Sequence, residues 1–558
     1  MTDSPWVKSY PKGIPANIDD LKFSSLAHLF EYCFEEYSDR VAFENMGKAV
    51  TYRELALLSE DFAAFLQSKG LKKGDSIALQ MPNMLQYAIA LTGALRAGLI
   101  VVNTNPLYTP REMEHQFKDA QVKAIVIVAN FASHLQKVIG NTGIETVIVT
   151  ELGDLLGTLK GALVNFVVKK VKKMVPAYSL PDAITFKQAM KTGQAATFTK
   201  PEIDKEDLAF LQYTGGTTGV SKGAQLSHRN VLSHTTQITH WFSPLLEENK
   251  VETMITAIPL YHIFALTVNG IFMMSIGAKN VLITNPRDMK GFVKELKKQS
   301  FTLMTGVNTL FNGLLNQEAF KEVDFSRLKG SIGGGMAVQD FVAKKWTDIT
   351  GTPLVEGYGL SETSPVLSCN PLDGSHQMGS IGLPTPGTEM KLFDEEGKEV
   401  AHGEVGEICA RGPQVMRGYW NKDNSDVFFD GGWFRTGDMG VMNDEGFFKI
   451  VDRKKDMINV SGFNVYPNEI ENVVANHPKV LEVAAIGIPD KKSTECVKVF
   501  VVKNDDSLTE KELGEYCAEN LTGYKKPKFI EFKEELPKSN VGKIIRRVLR
   551  DEELKKIS

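Results

Sequence analysis

The sequence predicts an α/β fold: a large N-terminal domain of parallel α/β layers with a small antiparallel β-barrel-like subdomain, followed by a small α+β C-terminal domain. Three observations predict it. Helix-like stretches alternate with short β-rich runs over residues 26–282 and resume over 301–367. Short strands and glycine-rich turns dominate 371–451, and the remainder mixes helix and strand patterns. At 558 residues the chain is also too long for one hydrophobic core.

The first region contains short apolar runs that alternate with helix-like stretches. Strands are predicted at residues 76–79, 124–128, 146–149 and 208–211. Strands that alternate with helices are typical of a parallel sheet with helices on its faces. We therefore expect parallel α/β layers in this region.

The second and third regions differ from the first in their pattern. Glycine-rich turns between short strands, as at 403–409, predict an antiparallel arrangement resembling a small barrel. In the third region 468–474 is predicted to be a helix, and 483–488 and 497–502 are predicted to be strands.

Composition excludes several classes of protein. A net charge of −4 and the lack of a basic, aromatic stripe argue against a nucleic-acid-binding surface. The five cysteines are never closer than 21 residues, so no disulfide framework or zinc spacing is present. This usage is typical of a reducing cytoplasm. Residues 1–5 lack the basic start and apolar core of a signal peptide. We therefore expect a cytoplasmic protein.

Three segments raise the question of membrane contact. Residues 87–102 are interrupted by Arg96 and predict a buried helix running into a strand, and residues 263–276 fall short of the roughly 20 that a bilayer crossing requires. Residues 159–174 interleave lysines with apolar residues, as an interfacial amphipathic helix does, but Lys170 lies in the apolar sector. A solvated helix face and a peripheral contact with the inner membrane both stay open.

A dense run of small and hydroxyl-bearing residues follows the predicted strand 208–211. The run is Tyr213, Thr214, Gly215, Gly216, Thr217, Thr218, Gly219, Val220, Ser221, Lys222 and Gly223. Glycines allow successive backbone N–H groups to converge on an anion, the hydroxyls add donors, and Lys222 adds a positive charge. The run therefore predicts a phosphate-binding loop. Because Gly223 follows Lys222, the pattern of phosphate-loop NTPases does not fit.

Four further motifs follow that run along the chain. They are Glu356-Gly357-Tyr358-Gly359-Leu360-Ser361-Glu362, Trp433-Phe434-Arg435-Thr436-Gly437-Asp438, Asp452-Arg453-Lys454-Lys455-Asp456, and Pro537-Lys538-Ser539-Asn540-Val541-Gly542-Lys543. In this order, and over nearly the full length, the set resembles the adenylate-forming superfamily of acyl-CoA synthetases, peptide-synthetase adenylation domains and luciferases. Within it the chain is most similar to bacterial long-chain fatty-acid–CoA ligases, a likeness that runs 105–112 and 283–288 strengthen.

The resemblance implies an arrangement of domains and a reaction. It implies an AMP- and acyl-binding domain at 1–452 and a mobile C-terminal lid at 453–558, hinged near Lys455. It also implies ATP-dependent activation of a long-chain fatty acid through an acyl-adenylate, followed by transfer to CoA, with Mg²⁺ as cofactor. The product would enter β-oxidation or lipid synthesis. Chain-length preference and oligomeric state stay open, a homodimer included.

The resemblance also assigns roles to individual residues. Lys543, Glu362, Thr214 and His262 are the implied catalytic residues, with Glu362 as the Mg²⁺ ligand. The implied nucleotide- and CoA-binding residues are Tyr213, Thr214, Gly215, Gly216, Thr217, Thr218, Gly219, Lys222, Gly333, Gly334, Gly335, Glu356, Gly357, Tyr358, Gly359, Ser361, Asp438, Arg453, Ser461 and Gly462. Ser361 is a departure, since the family usually carries Thr there, but the hydroxyl is kept.

Each of these residues also has a structural interpretation. Without the other motifs, a Ser-Glu pair is more often a helix cap, and a histidine in an apolar run is usually part of the core. Lys543 could belong to a basic surface tail, as we expect of Arg546, Arg547 and Lys555. Three other functions compete with the ligase: an acyl-AMP ligase that loads a carrier protein, a luciferase-like oxidase, and a membrane-associated fatty-acid trap without turnover.

Overall fold

The computed structural model describes residues 4–18, 20–214, 221–247, 250–461, 463–490, 492–539 and 542–557. Several residues of the predicted motifs lie outside these ranges, namely Gly215, Gly216, Thr217, Thr218, Gly219, Val220, Gly462, Asn540 and Val541.

The first sixteen strands build two large sheets. They are β1 (Val41–Asn45), β2 (Lys48–Thr51), β3 (Ser76–Gln80), β4 (Ile100–Asn103), β5 (Val122–Val128), β6 (Thr146–Thr150), β7 (Ile184–Thr185), β8 (Leu208–Thr214), β9 (Lys222–Ser227), β10 (Thr253–Thr256), β11 (Lys279–Leu282), β12 (Leu303–Gly306), β13 (Gly330–Gly333), β14 (Leu354–Gly359), β15 (Val366–Cys369) and β16 (Leu383–Pro384). The strands predicted at 76–79, 124–128, 146–149 and 208–211 are confirmed as β3, β5, β6 and β8.

Both large sheets are mainly parallel. One has the order β7-β6-β5-β3-β4-β8-β9 and is parallel except for its last pair. The other has the order β16-β15-β14-β13-β12-β10-β11-β1-β2 and is parallel from β14 to β1, with antiparallel strands at both ends. The parallel α/β layers expected from the alternating pattern are therefore confirmed.

Helices cover these sheets and the C-terminal part of the chain. They are α1 (Leu26–Glu36), α2 (Tyr52–Ser68), α3 (Leu85–Arg96), α4 (Pro110–Asp119), α5 (Ala132–Gln136), α6 (Thr158–Phe166), α7 (Phe186–Gln194), α8 (His228–Phe242), α9 (Met273–Ser275), α10 (Met289–Leu296), α11 (Asn308–Leu315), α12 (Asp340–Thr350), α13 (Pro467–Ala475), α14 (Glu510–Asn520) and α15 (Arg546–Ile557). Two π-helices span Val167–Val171 and Ala265–Phe272, and short 3₁₀ turns span Pro5–Ser9, Ala129–Phe131, Ile139–Asn141, Ser243–Leu245, Glu318–Glu322, Ser361–Thr363 and Gly523–Lys525.

The sequence explains where several helices begin. In run 105–112 the Thr109 side chain accepts a hydrogen bond from the Glu112 N–H, and the Glu112 carboxylate accepts one from the Thr109 N–H at 2.7 Å. This reciprocal capping satisfies two N–H groups that the helix leaves unpaired. Pro110 takes the first helical position, where a missing N–H costs nothing. The run is thus the start of α4.

The two apolar segments lie inside the protein. Residues 87–102 form part of α3 and β4, in which every residue is buried, as predicted. Residues 263–276 contain the buried π-helix Ala265–Phe272 and α9. No helix in the described part of the chain combines the length and the apolar character needed to cross a membrane.

The remaining strands form two smaller sheets. They are β17 (Glu389–Phe393), β18 (Gly406–Arg411), β19 (Phe428–Phe429), β20 (Trp433–Met442), β21 (Phe448–Arg453), β22 (Ile458–Val460), β23 (Phe463–Val465), β24 (Val480–Asp490), β25 (Thr494–Lys503) and β26 (Phe529–Phe532). Strands β17 to β21 pair only in antiparallel fashion, as the turn-rich pattern predicted.

The C-terminal part has its own sheet and core. Its sheet has the order β23-β22-β25-β24, with β26 parallel to β25. Residues from this sheet and from α13 and α14, among them Ile470, Val499 and Leu513, form a separate apolar cluster. The predicted helix 468–474 is α13, and the predicted strands 483–488 and 497–502 lie within β24 and β25. The hinge at Lys455 stays a prediction.

Candidate active site

A cavity of about 580 Å³ opens where the parallel strands of both large sheets end. Strand β8 ends at Thr214, β13 at Gly333 and β14 at Gly359. Ligands in α/β folds bind beyond the carboxyl ends of the strands. The predicted residues that line this cavity are Thr214, Lys222, His262, Gly334, Gly335, Gly357, Tyr358, Gly359, Ser361, Glu362, Arg453, Lys455 and Lys543. Thr436 and Gly437 line it as well, so residues from all five motifs meet in one place.

Tyr213, Glu356 and Gly333 lie next to the cavity without lining it. Tyr213 points the other way, and its hydroxyl donates to Asp119 Oδ2 at 2.6 Å, which anchors the strand that leads into the phosphate-loop run. Glu356 accepts a hydrogen bond from the Val338 N–H at 3.3 Å, and burial raises the pKa of its carboxyl to about 8. Gly333 ends β13 on the same side. The direct roles assigned to these residues stay predictions.

Asp438, Tyr358 and Arg453 form a cluster at the cavity edge. The Tyr358 hydroxyl donates to Asp438 Oδ2 at 2.7 Å, and Arg453 Nε lies 3.2 Å from Asp438 Oδ1. Asp438 and Arg453 face each other across β20 and β21. The Asp438 carboxylate is the largest cause that raises the pKa of Arg453. A carboxylate offers about four acceptor positions, so Asp438 can still accept from a vicinal diol.

Glu362 lies on the 3₁₀ turn that follows β14. Its Oε1 accepts a hydrogen bond from the Tyr419 hydroxyl at 2.6 Å, and its carbonyl oxygen accepts one from the Met416 N–H at 2.7 Å. Burial raises the pKa of the carboxyl. Lys222 Nζ lies 5.2 Å above the centre of the Tyr419 ring. Tyr419 therefore connects the predicted metal ligand to the lysine of the phosphate-loop run.

Tyr419 is not among the residues predicted from the sequence. Its only signal is the Gly418-Tyr419-Trp420 run in the turn-rich region, and aromatic residues in turns are common. The same loop contacts helix α4, which packs on the seven-stranded sheet, because Trp420 Nε1 donates to the Asp119 carbonyl oxygen at 3.0 Å and Lys422 pairs with the Asp119 carboxylate at 3.1 Å. These contacts join positions about three hundred residues apart.

The cavity suits a divalent cation that arrives with a nucleotide. Within the described residues, no group of three or more His, Cys, Asp or Glu side chains is arranged to hold a metal ion. Glu362 offers one carboxylate at the wall. Mg²⁺ in nucleotide sites binds through one or two carboxylates together with phosphate oxygens and water. The donor set therefore fits Mg²⁺ bound to a substrate phosphate better than a resident metal.

Lys543 enters the cavity from the C-terminal part of the chain. Its turn is held by the Ser539 N–H, which donates to the Lys543 carbonyl oxygen at 2.7 Å. The Thr309 hydroxyl of α11 donates to the Gly542 carbonyl oxygen at 3.0 Å, which fixes this turn against α11. Burial lowers the pKa of Lys543 to about 7, and the Arg453 guanidinium adds to the shift. An anionic ligand would reverse this effect.

His262 lies on the cavity wall between β10 and the π-helix Ala265–Phe272. Burial lowers the pKa of His262 to about 4, and Lys543 adds to the shift. The imidazole is therefore neutral at pH 7. Its Nδ1 accepts a hydrogen bond from the Phe264 N–H at 3.3 Å. This leaves Nε2 as the protonated nitrogen and a hydrogen-bond donor.

The other half of the cavity wall is apolar. Its residues include Ile238, Phe242, Ile258, Ile263, Phe264, Val268, Val307, Ile332, Val366 and Cys369. Residues 263–274 contribute three residues to this wall and residues 303–315 contribute one. A Cβ on Gly334 would lie 3.0 Å from the Phe264 ring, so the absence of a side chain at Gly334 lets the apolar wall pack closely against the backbone that follows β13. The cavity thus joins a charged end to an apolar end.

Ser461 lies outside the cavity in this arrangement. Its N–H donates to the Ser493 carbonyl oxygen at 2.8 Å, and its side chain is exposed. Its predicted role in binding CoA is not tested by these contacts.

The chain matches two family profiles and is similar to known enzymes over nearly its full length. A family profile described as AMP-binding enzyme matches residues 30–420, and one described as AMP-binding enzyme C-terminal domain matches 469–543. The chain is 57% identical over 549 residues to a long-chain-fatty-acid–CoA ligase of Escherichia coli O157:H7, covering 98% of each chain. It is 53% identical over 555 residues to one of Haemophilus influenzae, covering 99% of each chain.

A solved structure agrees with the fold. MatB from Rhodopseudomonas palustris with bound ATP superimposes with a TM-score of 0.81 at 28% identity, covering 94% of this chain and 98% of MatB. The structure of MatB without ligand gives a TM-score of 0.73 over the same coverage. The arrangement described above is therefore more similar to the ATP-bound structure.

Proposed function

The chain belongs to the AMP-binding enzyme family, and we propose that it is an ATP-dependent long-chain fatty-acid–CoA ligase. The observation that carries the proposal is the composition of one cavity. At one end Lys543, Arg453 and Glu362 surround space for a nucleotide, and at the other end α8 and the π-helix Ala265–Phe272 provide an apolar wall. The relatives at 53–57% identity over nearly the full length are named for this activity.

In the first half-reaction the fatty-acid carboxylate attacks the α-phosphorus of ATP, and pyrophosphate leaves. Both reactants are anions, so positive charge must compensate before they can meet. Lys543 provides that charge beside the reacting oxygens, and Lys222 provides it beside the phosphates that leave. Asp438 accepts from the ribose hydroxyls, and Arg453 holds the Asp438 carboxylate in place. His262 Nε2 donates to the acyl carboxylate.

Glu362 would hold Mg²⁺ together with phosphate oxygens. The bound ion would spread the charge that develops on the departing pyrophosphate. Tyr419 keeps one carboxylate oxygen of Glu362 in a fixed orientation, and the second oxygen stays available for the ion. The Ser361 hydroxyl, which lies next to Glu362 on the cavity wall, donates to the α-phosphate.

In the second half-reaction the CoA thiol attacks the acyl carbonyl carbon and AMP leaves. Lys543 occupies the space that the thiol needs, so the small domain must move between the two steps. We place the hinge at Lys455, which joins β21 of the large domain to the small one. The higher TM-score to ATP-bound than to ligand-free MatB supports assigning the present arrangement to the adenylating step.

The proposed function is tested by measuring pyrophosphate and AMP release with CoA over saturated acids of increasing length. Because burial favours each added methylene by roughly 0.8 kcal/mol, we expect a CoA-dependent maximum at about twelve to eighteen carbons. A maximum with aryl or short acids would exclude the long-chain assignment.

Other outcomes of this assay would favour the competing functions. Pyrophosphate release without consumption of CoA would favour an acyl-AMP ligase, and light emission would favour an oxidase. Binding without turnover would favour a fatty-acid trap.

The low pKa of Lys543 gives a prediction for ATP binding. With a pKa of about 7 the amine is mostly neutral at pH 8, and the phosphates of ATP favour the ammonium form. ATP binding at pH 8 should therefore take up close to one proton, whereas binding at pH 6 should take up almost none. Calorimetry in buffers of different ionisation enthalpy measures this. In Lys543→Met the uptake at pH 8 should disappear, and its persistence would assign the proton to another group.

We also propose that the enzyme contacts membranes at the segment 158–174. Five large apolar side chains are exposed there, namely Leu159, Leu163, Phe166, Val171 and Met174. Leu159 is 88% exposed and Leu163 is 63% exposed. Five lysines accompany them, Lys160, Lys169, Lys170, Lys172 and Lys173. Apolar side chains among lysines match the chemistry of an anionic lipid surface.

With α-helical spacing throughout residues 159–174, Lys170 would lie among the apolar side chains and interrupt their sector. Helix α6 instead continues as the π-helix Val167–Val171. A π-helical turn holds more residues than an α-helical turn. It therefore sets Lys170 back from the sector of Leu163 and Phe166 and brings Val171 toward that sector.

Replacing Leu163 and Phe166 together with glutamine should weaken binding to anionic vesicles at least tenfold, since burial of each side chain contributes about 1.5–3 kcal/mol. Co-sedimentation with vesicles of mixed neutral and anionic lipid measures this, and added salt should weaken the wild type further. The control is Leu57→Gln, which alters an equally exposed leucine on α2. Equal binding by all three proteins would exclude this segment as the contact.

A further inference from the structure

Arg546 lies three residues after Lys543 and begins helix α15. Sequence analysis assigned it to a basic surface tail, and this expectation is wrong. Its guanidinium is buried among acceptors: Nε lies 2.8 Å from Glu471 Oε1, Nη2 lies 2.6 Å from Glu471 Oε2, and Nη1 lies 3.0 Å from Asp452 Oδ1. Nη2 also donates to Asn468 Oδ1. Its neighbour Arg547 is half exposed, as expected of a surface residue.

The partners of Arg546 belong to different parts of the molecule. Glu471 and Asn468 lie on α13, in the small domain, and move with Arg546. Asp452 lies on β21, which pairs with β20 in the large domain's antiparallel sheet. The Asp452 side chain is fully buried, and its Oδ2 accepts a hydrogen bond from the Asn468 N–H at 2.8 Å. One carboxylate of the large domain thus holds the beginnings of two small-domain helices.

These contacts span the proposed hinge. Lys455 lies between Asp452 and α13, so a rotation at Lys455 carries Arg546 and Asn468 away from a carboxylate that β21 keeps in place. The ion pair between Arg546 and Asp452 is present in the orientation in which Lys543 lines the cavity, and the proposed rotation would separate its partners. A contact present in only one of two states favours that state by its own free energy.

We infer that Arg546 is a positioning residue, which holds Lys543 in the cavity by pairing with Asp452 and so favours the adenylating orientation of the small domain. The inference rests on the proposed two-step function and identifies what stabilises its first conformation. Glu471 has a separate role: its bidentate pair orients the guanidinium within the small domain, so that one N–H remains for Asp452.

The test is Asp452→Asn, which keeps the size of the side chain. The amide oxygen can still accept from the Asn468 N–H, but the amide NH₂ then faces the Arg546 guanidinium, donor to donor. We expect acyl-adenylate formation to fall about tenfold, as for the loss of one charge-assisted hydrogen bond. Thioester formation from supplied acyl-adenylate and CoA should be unchanged or faster.

Glu471→Gln tests the orienting pair, because it weakens the contact that leaves one guanidinium N–H for Asp452. It should lower the adenylating half-reaction in the same direction as Asp452→Asn but by less, and leave the thioester-forming half-reaction unchanged. Arg547→Gln should alter neither. If Asp452→Asn lowered both half-reactions equally, or lowered neither, Arg546 would have no positioning role.

A second measurement does not depend on catalysis. Asn312 Nδ2 of α11 lies 3.4 Å from the Leu481 carbonyl oxygen of β24, across the two domains. Cysteines at these two positions should be joined by a short thiol cross-linker, and the described native cysteines are all buried. Asp452→Asn should lower the cross-linking yield several-fold. An unchanged yield would overturn the inference even if the enzyme proved not to be a CoA ligase.

Discussion

Replacing Lys543 with alanine is expected to reduce acyl-adenylate formation by about 10²–10³-fold, the usual cost of removing one positioned charge or donor from a transition state. Thioester formation from supplied acyl-adenylate should fall less than about threefold, since the amine stabilises charge only in the first step. The buried amine has no carboxylate within ion-pair distance among the described residues, so its removal breaks no salt bridge that stabilises the fold. Lys543→Ala should therefore slow the first half-reaction far more than the second.

Pyrophosphate release and single-turnover transfer to CoA measure the two steps independently. Lys538→Ala is the control, because Lys538 belongs to the same motif but pairs with Glu482 at 2.5 Å, away from the cavity. Its loss should change either step by less than about twofold, as expected of a partly exposed ion pair. If Lys543→Ala lowered the rates of both steps equally, Lys543 would not act in the adenylating conformation alone.

Local patterns predicted the fold well where packing follows from periodicity. The strands at 76–79, 124–128 and 146–149 are mostly apolar, as expected of strands covered on both faces, and each was found within a residue or two of its predicted bounds. The helix predicted at 468–474 was likewise found within one residue of its predicted bounds, as α13. Period and turn chemistry are properties of neighbours in sequence, so one sequence is sufficient to detect them.

Contacts between distant positions could not be predicted in this way. Tyr419 meets Glu362 across 57 residues, and Arg546 meets Asp452 across 94. Neither pair has a local signal, because a tyrosine in a turn and an arginine in a basic run are common on surfaces. The π-helix at Val167–Val171 was missed for a different reason: the helical spacing used to judge Lys170 was α-helical. Motifs identified residues that line the cavity, but not those that orient them.

Replacing Glu362 with glutamine is expected to lower the rate of adenylation about 10²-fold and to raise the Mg²⁺ concentration needed for half-maximal rate more than tenfold. The amide removes the charge but keeps an oxygen that can accept from the Tyr419 hydroxyl, so the turn that follows β14 should stay intact. Initial rates of pyrophosphate release over a Mg²⁺ titration measure both effects. The thermal unfolding temperature of this variant without ligands should be unchanged or slightly higher than that of the wild type, since burial already disfavours the charged carboxylate.

Tyr419→Phe separates the charge of Glu362 from its orientation. This variant removes the hydroxyl that fixes Oε1 but leaves the carboxylate and the aromatic ring beneath Lys222. We expect a loss of rate of about tenfold or slightly more and an unchanged Mg²⁺ requirement, because one hydrogen bond to a charged carboxylate contributes about 1.5 kcal/mol or more. If both variants shifted the Mg²⁺ requirement alike, the orientation set by Tyr419 would matter as much as the charge. If neither shifted it, Glu362 would not bind the ion, and the electrostatic role of the cavity would depend on Lys222, Arg453 and Lys543 alone.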